Sequence, residues 1–355
     1  MSVPPPRPAP GAALTAALEA AADRAVLAPS VHNTQPWRLV LHGDRLELHA
    51  DRSRQLTVLD PRGRALAQSV GAALLNARAA VAAAGFAAAV DRLPDRDDPD
   101  LLAVLRPGPG PADASLARLD AAVPLRHTNR RRFGEERVPD ELLRVLVEAA
   151  DAEDTLLVPV DRPDHLDLLG RLQRTADGIQ NADPAYRAEL RRWTTRSADQ
   201  GDGVPPEAVA HVDGRQHDAL PLRDFDTTGS GGLPARTGSG TAQTVVLLAG
   251  RTDDLLAWLR AGEALERVLL ELTTRGWVAA PMTQAVEVPL TRTQLRSALV
   301  WHGHPLNLLR VGRAAPTPTT PRRRRDDAVR GSGRPPAPLR HPPVPGATGW
   351  VPPVR

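Results

Sequence analysis

Two segments of this 355-residue chain carry the same helical frame, and that coincidence constrains its architecture more than any other feature. In the first, Asp60 and Pro61 form an opening signal, apolar residues recur at Val70, Leu74 and Val81, and Gly85 supplies a stop. In the second, Asp253 or Asp254 opens a helix that runs through Leu259, Leu265 and Leu269 and closes at Gly276. Aligned, Gly71, Leu74 and Gly85 fall on Gly262, Leu265 and Gly276, so each helix holds an interior glycine where a neighbouring backbone can approach closely. Any two alanine- and leucine-rich helices align somewhere, so the frame alone leaves duplication open.

Strand-like runs surround these helices: "WRLVLHG", "RLELHA", "DTLLVPV" and "TVVLLAG". The chain therefore reads as α+β, with mainly antiparallel central sheets flanked by helices and two homologous halves in one chain. The Pro/Gly break "RPGPGPADAS" divides them at about residue 115, giving a first half over 12–115 and a second over 116–330. Residues 1–11 and 331–355 are rich in Pro and poor in apolar groups, and are expected to be disordered. A loop-rich stretch over 195–240 is a candidate lid. Its "GSGGLPARTGSG" precedes a strand, the reverse of the order that makes a dinucleotide fingerprint meaningful.

Composition removes several chemistries. The chain has no cysteine, which excludes disulfides, thiolate nucleophiles and Cys-based metal sites. It has no lysine either, so all 45 basic residues are arginine and Schiff-base or P-loop lysine chemistry is excluded. The formal net charge is only +3, which does not support a uniformly basic nucleic-acid binder. No run of eighteen apolar residues and no signal-peptide pattern occurs, so a soluble cytoplasmic protein without membrane contact is expected. "HGH", His302–His304, offers two ring ligands with no acidic pair beside them, and no metal site is expected.

One stretch concentrates polar groups in a chain that is only 3% aromatic: "APSVHNTQPWRL", Ala28–Leu39. It resembles the Pro-Ser-x-x-Asn-x-Gln-Pro-Trp element of the FMN-dependent nitroreductase family. "RHTNRRRF", Arg126–Phe133, resembles that family's Arg-x-Ser/Thr-x-Arg-x-Phe motif, and "VPDELLRVLVEAA" the helix that follows it. "LRRWT", "DGVP", "LRDFD", "WLRAGEALERVLLELTTRG" and "GHPLNLLRVG" are similar to landmarks of its Acg-like branch, and the likeness covers about residues 13–330. Ordinary nitroreductases hold flavin at a homodimer interface. Here the two elements stand in opposite halves, each once, which implies a monomeric pseudo-dimer with one surviving FMN site.

The resemblance implies a division of roles. Arg126 and Arg130, with the Thr128 hydroxyl between them, would bind the FMN phosphate, since a guanidinium matches phosphate oxygens in paired bonds. His127 would be structural. Within "PRRRRDDAVR", Arg323 and Arg324 occupy the positions of a further phosphate-reaching segment. Pro29, Ser30 and Asn33 would meet the isoalloxazine ring, and Gln35 would either brace their loop or address the ring. Trp37 would begin a strand and pack in the core, while His32 would line the pocket or face solvent. Backbone N–H groups near Ala279 and Ala280 would lie by the flavin N5. NAD(P)H would be the electron donor and a nitroaromatic or quinone-like small molecule the acceptor. Such flavin-borne chemistry needs no catalytic triad or carboxylate pair, and the sequence contains neither pattern. The alternative is a protein that binds and buries FMN with little turnover.

Overall fold

The computed structural model describes residues 10–130, 133–205, 208, 220, 221, 223, 225, 244–314 and 319–331. A helix, α1 (Pro10–Ala25), leads through a tight turn into the hairpin β1 (Trp37–Leu41) and β2 (Leu46–Ala50), followed by the long helix α2 (Arg64–Ala83), then β3 (Ala87–Arg92) and β4 (Leu101–Gly108). The next elements are α3 (Ala114–Ala117), α4 (Asp140–Asp151), β5 (Thr155–Val160), α5 (Pro163–Ala182) and α6 (Pro184–Thr194). They are followed by β6 (Thr244–Gly250), α7 (Leu255–Thr273), β7 (Val278–Pro281), α8 (Gln284–Glu287), α9 (Pro289–Leu299), β8 (His304–Gly312), α10 (Arg325–Ala328) and β9 (Val329–Gly331).

The strands form two sheets. The first has the order β3-β4-β2-β1-β9 and the second β5-β6-β8-β7. All pairings are antiparallel except β1 with β9. Taking α2 and α7 as counterparts, β1, β2, β4 and β3 correspond to β5, β6, β8 and β7, and the second sheet repeats the neighbour order of the first. β9 is an addition, and it carries the segment after residue 319 back to the first sheet.

Between the sheets α2 and α7 cross at the two glycines. A Cβ on Gly71 would meet the Leu259 carbonyl oxygen at 2.0 Å, and one on Gly262 would meet the Gln68 oxygen at 2.0 Å. In each case the carbonyl belongs to the residue three before the partner's glycine, so the contact is reciprocal, as at a two-fold axis. Only hydrogen fits at either position. Around this crossing most side chains of both helices are buried, including Leu74, Leu75, Leu259 and Leu270.

Several expectations shift at their edges. α2 opens at Arg64, after Gly63 in the left-handed region, rather than at Asp60–Pro61; the Asp60 carboxylate still accepts the Leu66 N–H at 2.9 Å. α7 is capped by Asp254, whose side chain accepts the Ala257 N–H. Pro10 and Gly11 already belong to α1, and Gly331 ends β9, so the described fold enters both segments expected to be disordered. The rest of those segments lies outside the described residues, as does "GSGGLPARTGSG". No helix among the described residues is long and apolar enough to cross a membrane.

Candidate functional site

The Ala28–Leu39 stretch folds as a strained turn. His32, Asn33 and Gln35 all hold positive φ, at 51°, 54° and 50°. A non-glycine residue in this region costs about 1–3 kcal/mol, so such a turn persists only where its surroundings fix it. The Ser30 hydroxyl accepts the Gln35 N–H at 2.9 Å. Asn33 Nδ2 donates to the Gly203 and Pro321 carbonyls at 2.9 and 2.8 Å, and Gln35 Nε2 donates to the Gly201 carbonyl at 2.9 Å. Gln35 Oε1 accepts the Arg323 N–H at 3.0 Å. A buried Arg54–Asp202–Arg196 ion-pair group holds the same loop down, and Arg54 Nε donates to the Thr34 carbonyl at 2.6 Å.

Beside this turn lies a cleft with an empty volume of about 1240 Å³, open mouth included, within the range of small-molecule sites once the mouth is discounted. Pro29, Ser30 and His32 form one wall; Arg64, Gln68 and Ser69 of α2 another; Ala280 to Glu287 a third. Thr128 and Arg130 enter at the β7 end, where Thr128 makes a parallel bridge to Ala279 and the Asn129 N–H donates to the Ala279 carbonyl at 3.2 Å. Arg223 and Phe225 close over it from the 195–240 stretch: Phe225 meets the His32 ring edge-on at 5.8 Å, and Arg223 pairs with Glu287 at 2.6 Å.

Next to the Thr128 end three guanidiniums converge. Arg126 and Arg322 both donate to the Leu27 carbonyl, at 3.4 and 3.1 Å, and Arg322 also donates to Asn33 Oδ1 at 3.2 Å. Burial, then the neighbouring Arg126, pushes Arg322 down to about 9 and Arg130 down to about 10. Glu266 stands beside Arg126 and Arg322, 3.4 Å from Arg126 Nε; burial raises it to about 7 against the pull of both. Buried Nε atoms of Arg126 and Arg322 lack a hydrogen-bond partner among the described residues. Three neighbouring guanidiniums, two of them beside a single buried carboxyl, suit a multiply charged oxyanion. His32, also buried with an unpartnered Nε2, is held neutral, first by burial and then by Arg223 and Arg130.

No family model matches the chain. Among curated proteins, Rv3131 of Mycobacterium tuberculosis (strain ATCC 25618 / H37Rv) is 36% identical over 314 residues, 86% of this chain and 88% of its own. The acg protein of the same strain is 31% identical over 320 residues, 88% and 95% of the two chains. Both are named "Putative NAD(P)H nitroreductase". The chain belongs to the NAD(P)H nitroreductase family. Among solved structures it is similar to an FMN-bound nitroreductase from Desulfitobacterium hafniense DCB-2, at 14% identity and TM-score 0.36 over 57% of this chain and 92% of that one. It is also similar to the NADPH:FMN oxidoreductase of Vibrio harveyi complexed with NAD+, at 12% identity and TM-score 0.34 over 58% and 73%.

In this nitroreductase-family chain residues of both motifs line one cleft, while others of the same motifs lie away from its lining. Pro29, Ser30, Thr128, Arg130 and Ala280 line the cleft, and Arg126 stands in the cluster behind it. Asn33 and Gln35 are not among the lining residues; their polar atoms clamp the 201–203 loop and the 321–323 segment. Of the three arginines Arg322, Arg323 and Arg324, it is Arg322 that stands in the cluster. Arg323 spends its guanidinium on the Gln35 and Trp37 carbonyls at 3.1 and 3.3 Å, and Arg324 is exposed near Asp327. Ala279 forms the bridge to Thr128, Trp37 is fully buried at the start of β1, and His127 Nδ1 lies 3.0 Å from the Leu125 carbonyl.

Reading the sequence missed Asp60, Arg64, Glu266 and Glu287. Burial raises the Asp60 carboxyl to about 6 although backbone N–H groups at the start of α2 pull it down. Arg223 and Phe225 lie in "LRDFD" and Gly203 in "DGVP", stretches that the sequence offered only as family landmarks. Glu266 left a usable signal: an acidic residue on the apolar stripe of a buried helix.

Proposed function

We propose that the protein is an FMN-dependent oxidoreductase of nitroreductase type, with NAD(P)H as donor and a nitroaromatic or quinone-like acceptor. The observation that carries it is the Arg126–Arg130–Arg322 cluster. Among the described residues Glu266 is the carboxylate that answers Arg126 and Arg322, and the cluster adjoins a cleft walled by the Pro29–His32 turn. The FMN phosphate suits that cluster, and Arg130 and Thr128 are the residues shared between cluster and cleft. Ser30, His32 and Ala280 would flank the ring. Bound FMN supplies reversible two-electron transfer, which none of the side chains in the cleft can perform. The chain's own part is to orient the ring, to hold a neutral His32 against it and to exclude water beneath Phe225. The repeated strand order and reciprocal glycine contact support a fused pseudo-dimer with one site, halves near 12–115 and 116–330, and action as a monomer.

The Phe225–His32 contact and the Arg223–Glu287 ion pair favour a second reading, in which the 195–240 stretch shields the flavin and turnover is slight. The visible spectrum of the purified protein before and after anaerobic NADPH separates the two. Bleaching within seconds supports the enzyme; tightly held flavin that stays oxidised for many minutes supports sequestration. No flavin retained on titration with FMN would overturn both.

A further inference from the structure

The cleft holds a second cation that the flavin reading does not use. Arg64, the first residue of α2, lines it and is half-buried. Its Nη2 donates to the Val286 carbonyl at 2.7 Å, which fixes the guanidinium plane against α8. Its other N–H groups meet no acceptor among the described residues, and no carboxylate lies within ion-pair distance.

The nearby carboxylates are already engaged. Glu287 takes Arg223 at 2.6 Å and the Gln180 amide at 2.7 Å. Asp253 takes a two-pronged bond from Arg292, at 2.7 and 2.8 Å, together with the Trp258 N–H at 2.8 Å. Asp60 accepts the Leu66 N–H at 2.9 Å. They lower the cost of burying Arg64 through space without occupying its donors.

Arg64 is also separate from the cluster that suits the FMN phosphate. The third wall runs from Ala280 to Glu287, with Thr128 bridged at its start and Arg64 bonded to Val286 at its end. Between them lie apolar groups such as Leu265, Met282 and Leu306. The cleft thus combines apolar lining groups with a guanidinium that keeps N–H donors to spare.

We infer that Arg64 forms an anion subsite that selects, among molecules docking in this cleft, those carrying a carboxylate or phosphate beside an apolar ring. The inference rests on the flavin reading for the ring's purpose, but not for the anion contact itself. The anion has two possible sources, the acceptor or the nicotinamide donor, and the two half-reactions tell them apart.

The test uses the whole chain loaded with FMN, with 4-nitrobenzoate and its neutral counterpart 4-nitrobenzyl alcohol as acceptor probes, and NADPH and NADH as donors. Calorimetric Kd values and kcat/KM are measured for wild type, Arg64→Gln and Arg64→Lys. Glutamine keeps an N–H for the Val286 carbonyl, so a merely structural Arg64 would leave ligand preference unchanged. A charge-assisted contact predicts that wild type binds 4-nitrobenzoate about tenfold tighter than the alcohol, that Arg64→Gln removes the difference, and that Arg64→Lys keeps most of it. If the loss falls instead on the NADPH-to-NADH ratio in flavin reduction, the subsite serves the donor's phosphate. Unchanged preferences in Arg64→Gln, or a loss of FMN affinity in that variant, would overturn the inference. Failure of wild type to take up FMN would overturn the flavin reading, while the nitrobenzoate Kd, which needs no flavin, would still decide Arg64.

Discussion

The arginines of this chain differ in what surrounds them, and that sets what each can do. The Nε atoms of Arg126 and half-buried Arg322 are buried with no hydrogen-bond partner among the described residues, Glu266 lying 3.4 Å from that of Arg126, whereas Arg324 stands in solvent two residues away from Arg322. Replacing Arg126 or Arg322 by Ala is expected to weaken FMN binding by about 2–3 kcal/mol, roughly a 30- to 150-fold rise in Kd, whereas Arg324→Ala leaves it unchanged. Fluorescence titration of the apo-protein reads this directly. Glu266 gives the cluster a pH dependence. Its folded value of about 7 lies above the ordinary glutamate value, so its contribution to stability is full below about pH 4.5 and lost as pH rises through 7. Glu266→Gln should flatten the fall in apo-protein Tm between pH 5 and pH 8 by the equivalent of about 2–3 kcal/mol, and should tighten FMN binding at pH 8 more than at pH 6. The sequence pointed to Arg126 and Arg130 through their likeness to the family's Arg-x-Ser/Thr-x-Arg-x-Phe motif. It could not choose among Arg322, Arg323 and Arg324, since a run of identical residues has no register of its own; the amide clamps of Asn33 and Gln35 supply it.

At the scale of elements, the α2–α7 crossing is the most exacting contact. Each glycine leaves room for a carbonyl oxygen where a methyl group would stand. Gly71→Ala and Gly262→Ala should therefore each lower stability by roughly 3 kcal/mol and Tm by several degrees, with comparable size because the two contacts mirror one another. Thermal unfolding followed by circular dichroism reads the effect, and a change confined to one of them would contradict the reciprocity. This frame was legible beforehand because a glycine inside a buried apolar stripe needs a cause. β1, β2, β5 and β6 were legible from their aliphatic runs. β3, "AAAVDR", and β7, "VAAP", were not, since alanine has little strand preference and four residues cannot display a period. The opening of α2 was misplaced because Asp60 does bond to the helix, but across a left-handed Gly63 rather than from the capping position itself.

At the scale of the whole molecule, the proposed pseudo-dimer predicts one FMN per chain, measurable from the ratio of flavin absorbance to protein concentration, with a monomeric mass in solution. Two flavins per chain would contradict it. The strand order shared by the two sheets was foreseeable only as a hypothesis, because non-local pairing leaves no mark on local sequence. β9 was not foreseeable at all. It runs parallel to β1, and Arg322 and Arg323 precede α10 and β9 in the segment that Asn33 and Gln35 clamp. As a ribosome makes this chain, the Pro29–His32 turn emerges early, yet the segment that clamps it and completes the arginine cluster emerges some three hundred residues later. A nascent chain that stops short of it has the cleft's walls without the means to fix them, so acquisition of flavin would wait until the 321–323 segment has been made.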